Sequence, residues 1–448
     1  MGHEETALSD AEKNPLAIGM RKGLMAGFLG SLIIKVGSAL VGLLISIVLA
    51  RGLGVEGYGI YALAFSIVSL LSVPVQLGLP TLVVREVAHY HVGERWDLMR
   101  GVLRRADEAV LLLSLATGLA AGVLMWMFAG RVEATQLATF AWALLLIPLT
   151  ALSSLRGAAL RGLRHVIQSQ LPDMLIRPGL LLLFAGPLLL FGGFTPPQAM
   201  ALYCVAATLA YLVGTILLRR VEPSGLRAAA PRYETAAWTR SVLPLSLLSG
   251  FQMIISQTDI IMLGLLATKQ EVGLYRVAAS GAALVVFALT AVNLVVAPLI
   301  TRLHSMAEQN GLQDVVTFSA RLAIATALPV ALVLIFFGSP IIAFAFGDSF
   351  RPAHVALAIL CFGQIGNAAA GSVALILNMT GHERDTVKAV AIAAAINVLL
   401  NSALIPRYGM EGAAAASCIA LILWNMILCR RVWVRLGIRS HAFWFGSS

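Results

Sequence analysis

The chain has 448 residues, of which 59% are hydrophobic and only 12% are charged, and its mean hydropathy is +0.87. Soluble globular proteins carry about a quarter charged residues, so this composition excludes an ordinary cytosolic enzyme and a disordered scaffold. A membrane-spanning helix needs about 20 apolar residues, and the chain has room for about a dozen. The formal net charge of +10 makes the location of the basic residues informative.

Taken in chain order, the sequence predicts two sets of six transmembrane helices. A polar N-terminal segment, 1–28, comes first, and the apolar run after it is too long for a signal peptide. Apolar windows then predict helices at roughly 29–50, 58–80, 109–129, 136–155, 174–194 and 199–218. The polar stretch 219–240 is predicted as a linker. The second set is predicted at roughly 241–266, 273–300, 320–346, 353–378, 386–405 and 411–430, with a basic tail at 431–448.

The predicted fold is therefore an all-α polytopic membrane protein with 12 transmembrane helices, in an N-terminal bundle (29–218) and a C-terminal bundle (241–430). On the cytoplasmic side, the stretch 81–108 mixes apolar and basic residues. It is read either as a helix at the membrane interface or as an extension of the flanking spans.

Lysine and arginine are distributed unevenly between the two sides of this arrangement. Of the 32 basic residues, 24 fall in segments on one side and 5 on the other. Cytoplasmic loops carry the excess of positive charge, so both termini are predicted to be cytoplasmic. This asymmetry accounts for the net charge without nucleic-acid binding, and the basic tail is expected to bind anionic membrane lipid.

The two halves contain similar fragments at matching places. Gly59-Ile60-Tyr61 opens the second span and Gly273-Leu274-Tyr275 opens the eighth, while Leu160-Arg161-Gly162 follows the fourth span and Met379-Thr380-Gly381 the tenth. Six spans per half give both halves the same orientation, as in parallel repeats related by a pseudo-two-fold axis along the membrane normal. Such repeats are typical of transporters with a cavity between two bundles, and a pseudo-symmetric membrane enzyme is also compatible with them.

Local sequence motifs narrow the choice between a transporter and a membrane enzyme. The first hairpin has the pattern R-x-L-G-x-x-x-Y-G-x-Y, Asp259-Ile-Ile-Met-Leu-Gly precedes the eighth span, and Asn378-Met-Thr-Gly follows the tenth. Together these elements resemble the polysaccharide-flippase branch of the multidrug/oligosaccharidyl-lipid/polysaccharide (MOP) exporter superfamily. The positions that carry the resemblance are Arg51, Gly54, Tyr58, Gly59, Arg85, Gly273, Tyr275 and Gly381.

The resemblance implies a carrier in the bacterial cytoplasmic (inner) membrane rather than an enzyme. It implies that an undecaprenyl-pyrophosphate-linked oligosaccharide moves from the cytoplasmic to the outer leaflet by alternating access, for O-antigen, capsule or exopolysaccharide synthesis. No cofactor is expected, and an ion gradient (H⁺ or Na⁺) or the membrane potential would drive transport. A polysaccharide polymerase and a chain-length regulator are expected as further partners.

Charged and amide side chains inside predicted spans are the candidate site residues, because such groups usually face a cavity or a partner. Lys35 and Arg276 are predicted to bind pyrophosphate or sugar, and Asp259 to couple an ion. Asn367 and Asn397 are predicted to line a sugar path. The alternatives are snorkelling of Lys35 to the headgroups, an ion pair between Asp259 and Arg276, and helix-to-helix hydrogen bonding by the asparagines.

Other functions have weaker support. A cation or drug exporter of the same superfamily would favour acidic cavity residues, and a peptidoglycan-precursor flippase would share the fold. A membrane polysaccharide polymerase would place arginines and histidines in a sizeable outer loop, which this chain lacks. The four cysteines and the pair His89/His91 do not have metal-ligand spacing, so no metal site is predicted.

Overall fold

The computed structural model describes residues 15–76, 78–190 and 192–442, with side chains for all of these except 15–29, 31–33, 190, 240–255, 288, 291 and 294. The described residues form helices joined by short connections and contain no strand. Their α-helices are α1 (Pro15–Gln76), α2 (Leu79–Val92), α3 (Trp96–Met127), α4 (Ala134–Leu144), α5 (Leu146–Gly162), α6 (Val166–Leu171), α7 (Arg177–Leu190), α8 (Pro196–Val221), α9 (Ser224–Ala228), α10 (Thr235–Leu266), α11 (Lys269–Ser305), α12 (Gln309–Phe346), α13 (Ala353–Ala370), α14 (Val373–Met379) and α15 (Glu383–Leu436). The prediction of an all-α membrane protein is confirmed.

The two longest helices, α1 and α15, are each a hairpin. Gly54 and Gly409 have positive φ values of 68° and 53°, outside the helical region. In a straight helix, residues 12 apart would be about 18 Å apart, yet the Ser46 and Tyr58 hydroxyls are hydrogen-bonded at 2.8 Å. The chain therefore reverses at Gly54, where glycine tolerates the left-handed backbone.

Among the described residues, eight helical segments are long and apolar enough to cross a membrane. Two of them, Ile34–Gln76 and Glu383–Leu436, contain the hairpins just described. The number of twelve crossings stays a prediction. The predicted boundary at 28/29 falls inside α1, which is helical from Pro15 onwards. Residues 1–14 lie outside the described part.

The helices pack as two bundles that meet along α1 and α11. In the first bundle, the N-lobe, α1 contacts α3, α4, α5, α7 and α8. In the second, the C-lobe, α11 contacts α12, α13 and α15. The most extensive contact between the lobes joins α11 to α1, and α10 also packs on α1. The loops between helices are short, so each bundle is a set of neighbouring, closely packed helices.

The connection between the bundles is shorter than predicted and is packed on the N-lobe. Helix α8 extends to Val221 and α10 begins at Thr235, which leaves 222–234 rather than 219–240. The Arg100 guanidinium donates to the Ala229 carbonyl oxygen at 2.7 Å, and the Arg232 amide donates to the Asp97 carbonyl oxygen at 3.0 Å. The 81–108 stretch is divided between α2, a separate helix whose buried face packs on α5, and the start of α3, a long apolar helix, and the position of α2 at the membrane interface stays a prediction.

The predicted tail also differs from expectation. Helix α15 continues to Leu436, and residues 437–442 turn back into the C-lobe. The side chains of Ile438 and Ser440 are buried there, so this part of the chain is not free to lie along the lipid headgroups. Residues 443–448 lie outside the described part, and lipid binding by the tail stays a prediction.

Candidate functional site

A carboxylate inside the C-lobe accepts hydrogen bonds from four neutral side chains. The Tyr275 hydroxyl donates to Asp259 Oδ2 at 2.6 Å, and the Ser417 hydroxyl donates to the same oxygen. The Asn397 and Asn401 amides donate to Asp259 Oδ1 at 3.1 and 2.8 Å. We call these five residues the Asp259 centre. Four donors on one carboxylate stabilise its charge without a basic partner.

Three helices supply the Asp259 centre. The turn between α10 and α11 brings Tyr275 back to Asp259, which lies 16 residues earlier. Asn397 and Asn401 are one turn apart on α15 and therefore share a face. The reversal at Gly409 then returns the chain, so that the Asn397 amide also donates to the Ser417 hydroxyl at 3.2 Å.

The Asp259 centre borders a cavity of about 480 Å³ within the C-lobe. Most of the lining is apolar, and its other polar groups include Ser256 and Gln364. Asn401 is completely buried, and its Oδ1 has no hydrogen-bond partner among the described residues. The centre thus combines one negative charge with several oxygen atoms and an unpaired acceptor. Such a site can hold a proton or a hard monovalent cation, as midplane sites in secondary transporters do.

Arg276 does not pair with Asp259. No salt bridge joins the two described side chains, and the ion-pair alternative is therefore wrong for this conformation. Successive helical residues point about 100° apart, so when Tyr275 faces Asp259, Arg276 faces elsewhere. Arg276 is half-buried on α11, the helix that packs against α1 of the N-lobe.

Two further predicted binding residues are separate from the Asp259 centre. Lys35 is half-buried on α1 and has no hydrogen-bond or ion-pair partner among the described side chains. The Asn367 amide donates to Gln364 Oε1 at 3.2 Å, and its carbonyl accepts from the Asn425 amide at 3.0 Å. Asn367 therefore links α13 to α15 at the edge of the cavity. The structure brings Asp259 and Asn397 together and leaves Lys35 and Arg276 outside that group.

The motif glycines form the contact between the lobes. A Cβ atom on Gly59 would overlap the Lys269 carbonyl oxygen, and one on Gly273 would overlap the Val55 carbonyl oxygen. These two glycines thus permit α1 and α11 to approach with their backbones almost touching. Ser46 and Ser280 add a hydrogen bond of 3.0 Å between the same helices.

Arg51 and Lys269 add polar links at the same end of the molecule. Arg51 donates to the carbonyl oxygens of Phe344 and Ala345, in the last turn of α12. A cation there compensates the negative end of the helix dipole. Lys269 lies 2.7 Å from a carboxylate oxygen of Glu133 and 3.9 Å from one of Glu56. These residues are all predicted to lie at the outer surface. Together with the contacts of Gly59 and Gly273, they form the contact region between the lobes that we call the outer closure.

The remaining motif residues have local roles. Tyr58 is buried, and its ring stacks on that of Tyr61 at 6.4 Å between centroids. Arg85 forms an exposed ion pair of 2.7 Å with Glu86. Gly381 follows α14 with a φ of 77°, which ends that helix. None of these three touches the Asp259 centre.

Sequence reasoning missed several members of this arrangement. Ser417 stands in an alanine-rich run and gave no signal, because its role depends on the reversal at Gly409. Glu271 accepts from the Met410 amide at 3.3 Å and caps α11 together with Thr268. It thereby ties the start of α11 to the α15 hairpin. The capping pattern T-x-x-E was visible in the sequence, but its second partner was not.

A family model described as "Polysaccharide biosynthesis protein" matches residues 24–304, and a second, described as "MatE", matches residues 244–402. Two Haloferax volcanii proteins are similar over part of the chain. The "Probable low-salt glycan biosynthesis flippase Agl15" is 25% identical over 39% of this chain and 36% of its own length. The "Probable flippase AglR" is 28% identical over 40% and 38% respectively. The match thus spans little more than a third of either relative.

Solved structures share the fold. The lipid II flippase MurJ in its inward closed conformation matches with a TM-score of 0.71 and 16% identity, over 90% of this chain and 87% of that one. An inward-facing MATE-family transporter of the MOP superfamily gives 0.67 and 15%, over 91% and 98%. An outward-facing structure of a MATE-family transporter gives 0.58 and 14%, over 92% and 95%. The resemblance drawn from the motifs is confirmed: the chain belongs to the polysaccharide biosynthesis protein family and has the two-bundle fold of the MOP superfamily.

Proposed function

We propose that this protein moves an undecaprenyl-pyrophosphate-linked oligosaccharide from the cytoplasmic to the outer leaflet of the bacterial inner membrane, for O-antigen, capsule or exopolysaccharide synthesis. The observation that carries the proposal is the family match over residues 24–304, most of whose span forms the N-lobe and the outer closure. The names of the two Haloferax volcanii relatives, both probable flippases, support it. The protein acts as a carrier without a catalytic residue, and both termini lie in the cytoplasm.

The position of the contacts between the lobes supports alternating access. The outer closure holds α1 against α11 with glycine contacts and polar links, all on the side predicted to face outwards. Opening towards the outside requires these contacts to separate. The pyrophosphate would meet Lys35 and Arg276, a half-buried pair of cations on the two helices that join the lobes. Asn367 and Asn397 would contribute amide hydrogen bonds along the sugar path.

Transport is driven by an ion at the Asp259 centre, in this proposal H⁺ or Na⁺. Tyr275 donates to Asp259, and two residues earlier on the same helix Gly273 contacts Val55 of the N-lobe. A cation bound by Asp259 competes with the donors for its oxygens, and the start of α11 carries that change to the outer closure. The ion site and the contact between the lobes thus share one helix end.

A deletion strain tests the proposed substrate. Without the protein, short lipid-linked oligosaccharide should accumulate on the cytoplasmic face, and surface polysaccharide should disappear. The wild-type gene should restore it, while an Asp259→Asn variant of equal abundance should not. Unchanged surface polysaccharide in a strain with no second flippase refutes the assignment. A polysaccharide polymerase and a chain-length regulator, the partners proposed here, should then be recovered by cross-linking to the wild-type protein.

Two observations favour a second candidate, export of an organic cation. The MatE model matches residues 244–402, and the mostly apolar cavity of the C-lobe contains one carboxylate. The discriminating measurement is the susceptibility of the deletion strain to lipophilic cations. Increased susceptibility with normal surface polysaccharide would replace the glycan assignment by this one. A block in peptidoglycan-precursor export, read as loss of viability, would instead favour a flippase for that lipid.

A further inference from the structure

Residues 437–442, here named the return segment, fold back into the C-lobe after α15. Gly437 has a φ of 70° and ends the helix in a left-handed conformation. Burial then alternates: Ile438, Ser440 and Ala442 are buried, and the residues between them are exposed. This period of two indicates an extended strand-like segment with one face against the protein.

The return segment is hydrogen-bonded to the start of α12. The Gln313 side-chain amide donates to the Arg439 carbonyl oxygen at 2.7 Å, and the Arg439 backbone amide donates to Gln313 Oε1 at 2.9 Å. One side chain thus pairs with the backbone as a neighbouring strand would. Gln309 also donates to the Leu436 carbonyl oxygen at 2.9 Å.

Its far end reaches the joint between α13 and α14. The Ala442 amide donates to the Ala369 carbonyl oxygen at 2.9 Å, in the last turn of α13. Gly371, with a φ of 75°, breaks the helix there, and a Cβ on it would lie 3.1 Å from the Ser440 carbonyl oxygen and 2.7 Å from the Ala320 Cβ. The left-handed backbone, Ala320 and the return segment together leave room only for glycine at this joint.

The joint lies between two hydrophobic clusters. The return segment packs in the smaller cluster and is hydrogen-bonded to α13, a helix that contributes to the larger one. Ile438 packs in the smaller cluster with residues of α11, α12, α14 and α15, such as Ile300, Val373 and Leu428. Ala368 of α13 belongs to the larger cluster, which includes the N-lobe. The return segment therefore ties together two packing units that meet at a helix break.

We propose that the return segment is a strap that holds the α13–α14 joint bent in this conformation and leaves its buried position beside α13 and α15 during the transport cycle. This deepens the alternating access of the proposed function and rests on it. Rotation at Gly371 would move the Ala369 carbonyl away from the Ala442 amide, so the joint changes only when the strap releases. A short extended segment that lies outside the helices is the kind of element that opens locally without unfolding the rest.

Cysteine labelling measures the release without any glycan substrate. In a variant with all four natural cysteines replaced by alanine, a polar maleimide is added to the purified protein carrying either Ser440→Cys or His441→Cys. The thiol introduced at position 440 should react at least tenfold more slowly than the one at position 441, because Ser440 is 2% exposed and His441 is exposed. Equal rates would overturn the strap.

The same labelling assay tests whether the hydrogen bonds of Gln313 keep the return segment in its buried position. Gln313→Ala removes the two hydrogen bonds between the Gln313 side chain and the Arg439 backbone. It should raise the labelling rate of the Ser440→Cys thiol by about tenfold, the effect of two ordinary hydrogen bonds. Thr317→Val is the matched control, since Thr317 accepts from Gln313 at 2.8 Å but is bonded to no residue of the segment. An unchanged rate in Gln313→Ala would contradict the proposal.

A disulfide tests whether the strap must detach. The Ser440 hydroxyl lies 3.5 Å from Cys429 Sγ, so Ser440→Cys in the otherwise natural chain can form a bond to Cys429 on oxidation. Oxidised protein should lose at least nine-tenths of its transport and regain it on reduction, whereas Ser440→Cys/Cys429→Ala should be insensitive to oxidant. Full transport by the locked protein would overturn the proposal. If reduced and wild-type proteins both fail to export glycan, the proposed function fails instead, and the labelling rates still decide whether the segment is a strap.

Discussion

Replacing Gly59 by alanine should shift the protein towards an outward-open conformation without unfolding it. The added Cβ would overlap the Lys269 carbonyl oxygen, a backbone atom of the other lobe that cannot move aside as a flexible side chain can. Overpacking of this kind costs typically about 1–3 kcal/mol. Because the collision lies between the lobes, it is relieved when they separate on the outer side. The ratio of open to closed protein should therefore rise by roughly 5- to 150-fold.

The assay follows the contact that opening would break. Ser280 is hydrogen-bonded to Ser46 across the lobes, and Ser46 is buried. In a cysteine-free background, Ser280→Cys should react slowly with a membrane-impermeant maleimide applied from outside. Adding Gly59→Ala should accelerate that reaction by about tenfold or more, following the change in the open fraction.

Gly118→Ala is the matched control for this substitution. Gly118 lies on α3, and a Cβ there would meet no atom within 4 Å, so the same change in side chain leaves the lobes as they are. The melting temperature of both variants should be measured alongside. Equal labelling of the Ser280→Cys thiol in the two variants, or a loss of folded protein in Gly59→Ala alone, would refute the assignment of Gly59 to the outer closure.

Three further outcomes follow from the same structure. Asp259→Asn and Arg276→Gln should each abolish glycan export at normal protein abundance. The double variant should stay inactive, because the two residues form no ion pair whose joint removal could restore function. An active double variant in the complementation assay would contradict this. Lys35→Ala should abolish export, whereas Lys35→Arg should keep part of it, since a cation is retained with different donor geometry. Equal activity of Lys35→Ala and wild type would show that the lysine only snorkels to the headgroups. Reporter fusions should separate the two sides of the membrane, and a signal from the opposite side at any of the six positions named next would refute the twelve-span arrangement. Cytoplasmic signals are expected at Arg95, Arg232 and Arg435, and outer-side signals at Glu133, Thr195 and Lys269.

Much of the fold was accessible from composition and pattern. Long apolar runs could only be helices, because a backbone inside a bilayer has to satisfy its hydrogen bonds within one segment. The contacts of the structure also agree with the predicted alternation of sides. Arg100 meets the connection at Ala229, both predicted cytoplasmic, and Arg51 meets the end of α12 at Ala345, both predicted outside.

The candidate site was accessible only in part. Asp259 stood out because a carboxylate within an apolar run needs partners, and the four-residue spacing of Asn397 and Asn401 indicated a shared face. Which partners Asp259 has could not be read from the chain. They lie up to 158 residues away, at Ser417, and their approach depends on how the α15 hairpin packs against α10.

The sequence by itself determined the class of protein and the motif residues and predicts the approximate spans and the orientation, since each of these depends on local apolarity, charge or spacing. Only the tertiary structure decided that Arg276 forms no ion pair with Asp259, that Gly59 and Gly273 let the two lobes touch, and that residues 437–442 return into the C-lobe. The physical reason is the same in each case. Helix rotation and the packing of distant helices set which side chains meet, and neither is encoded in the hydropathy of any single segment.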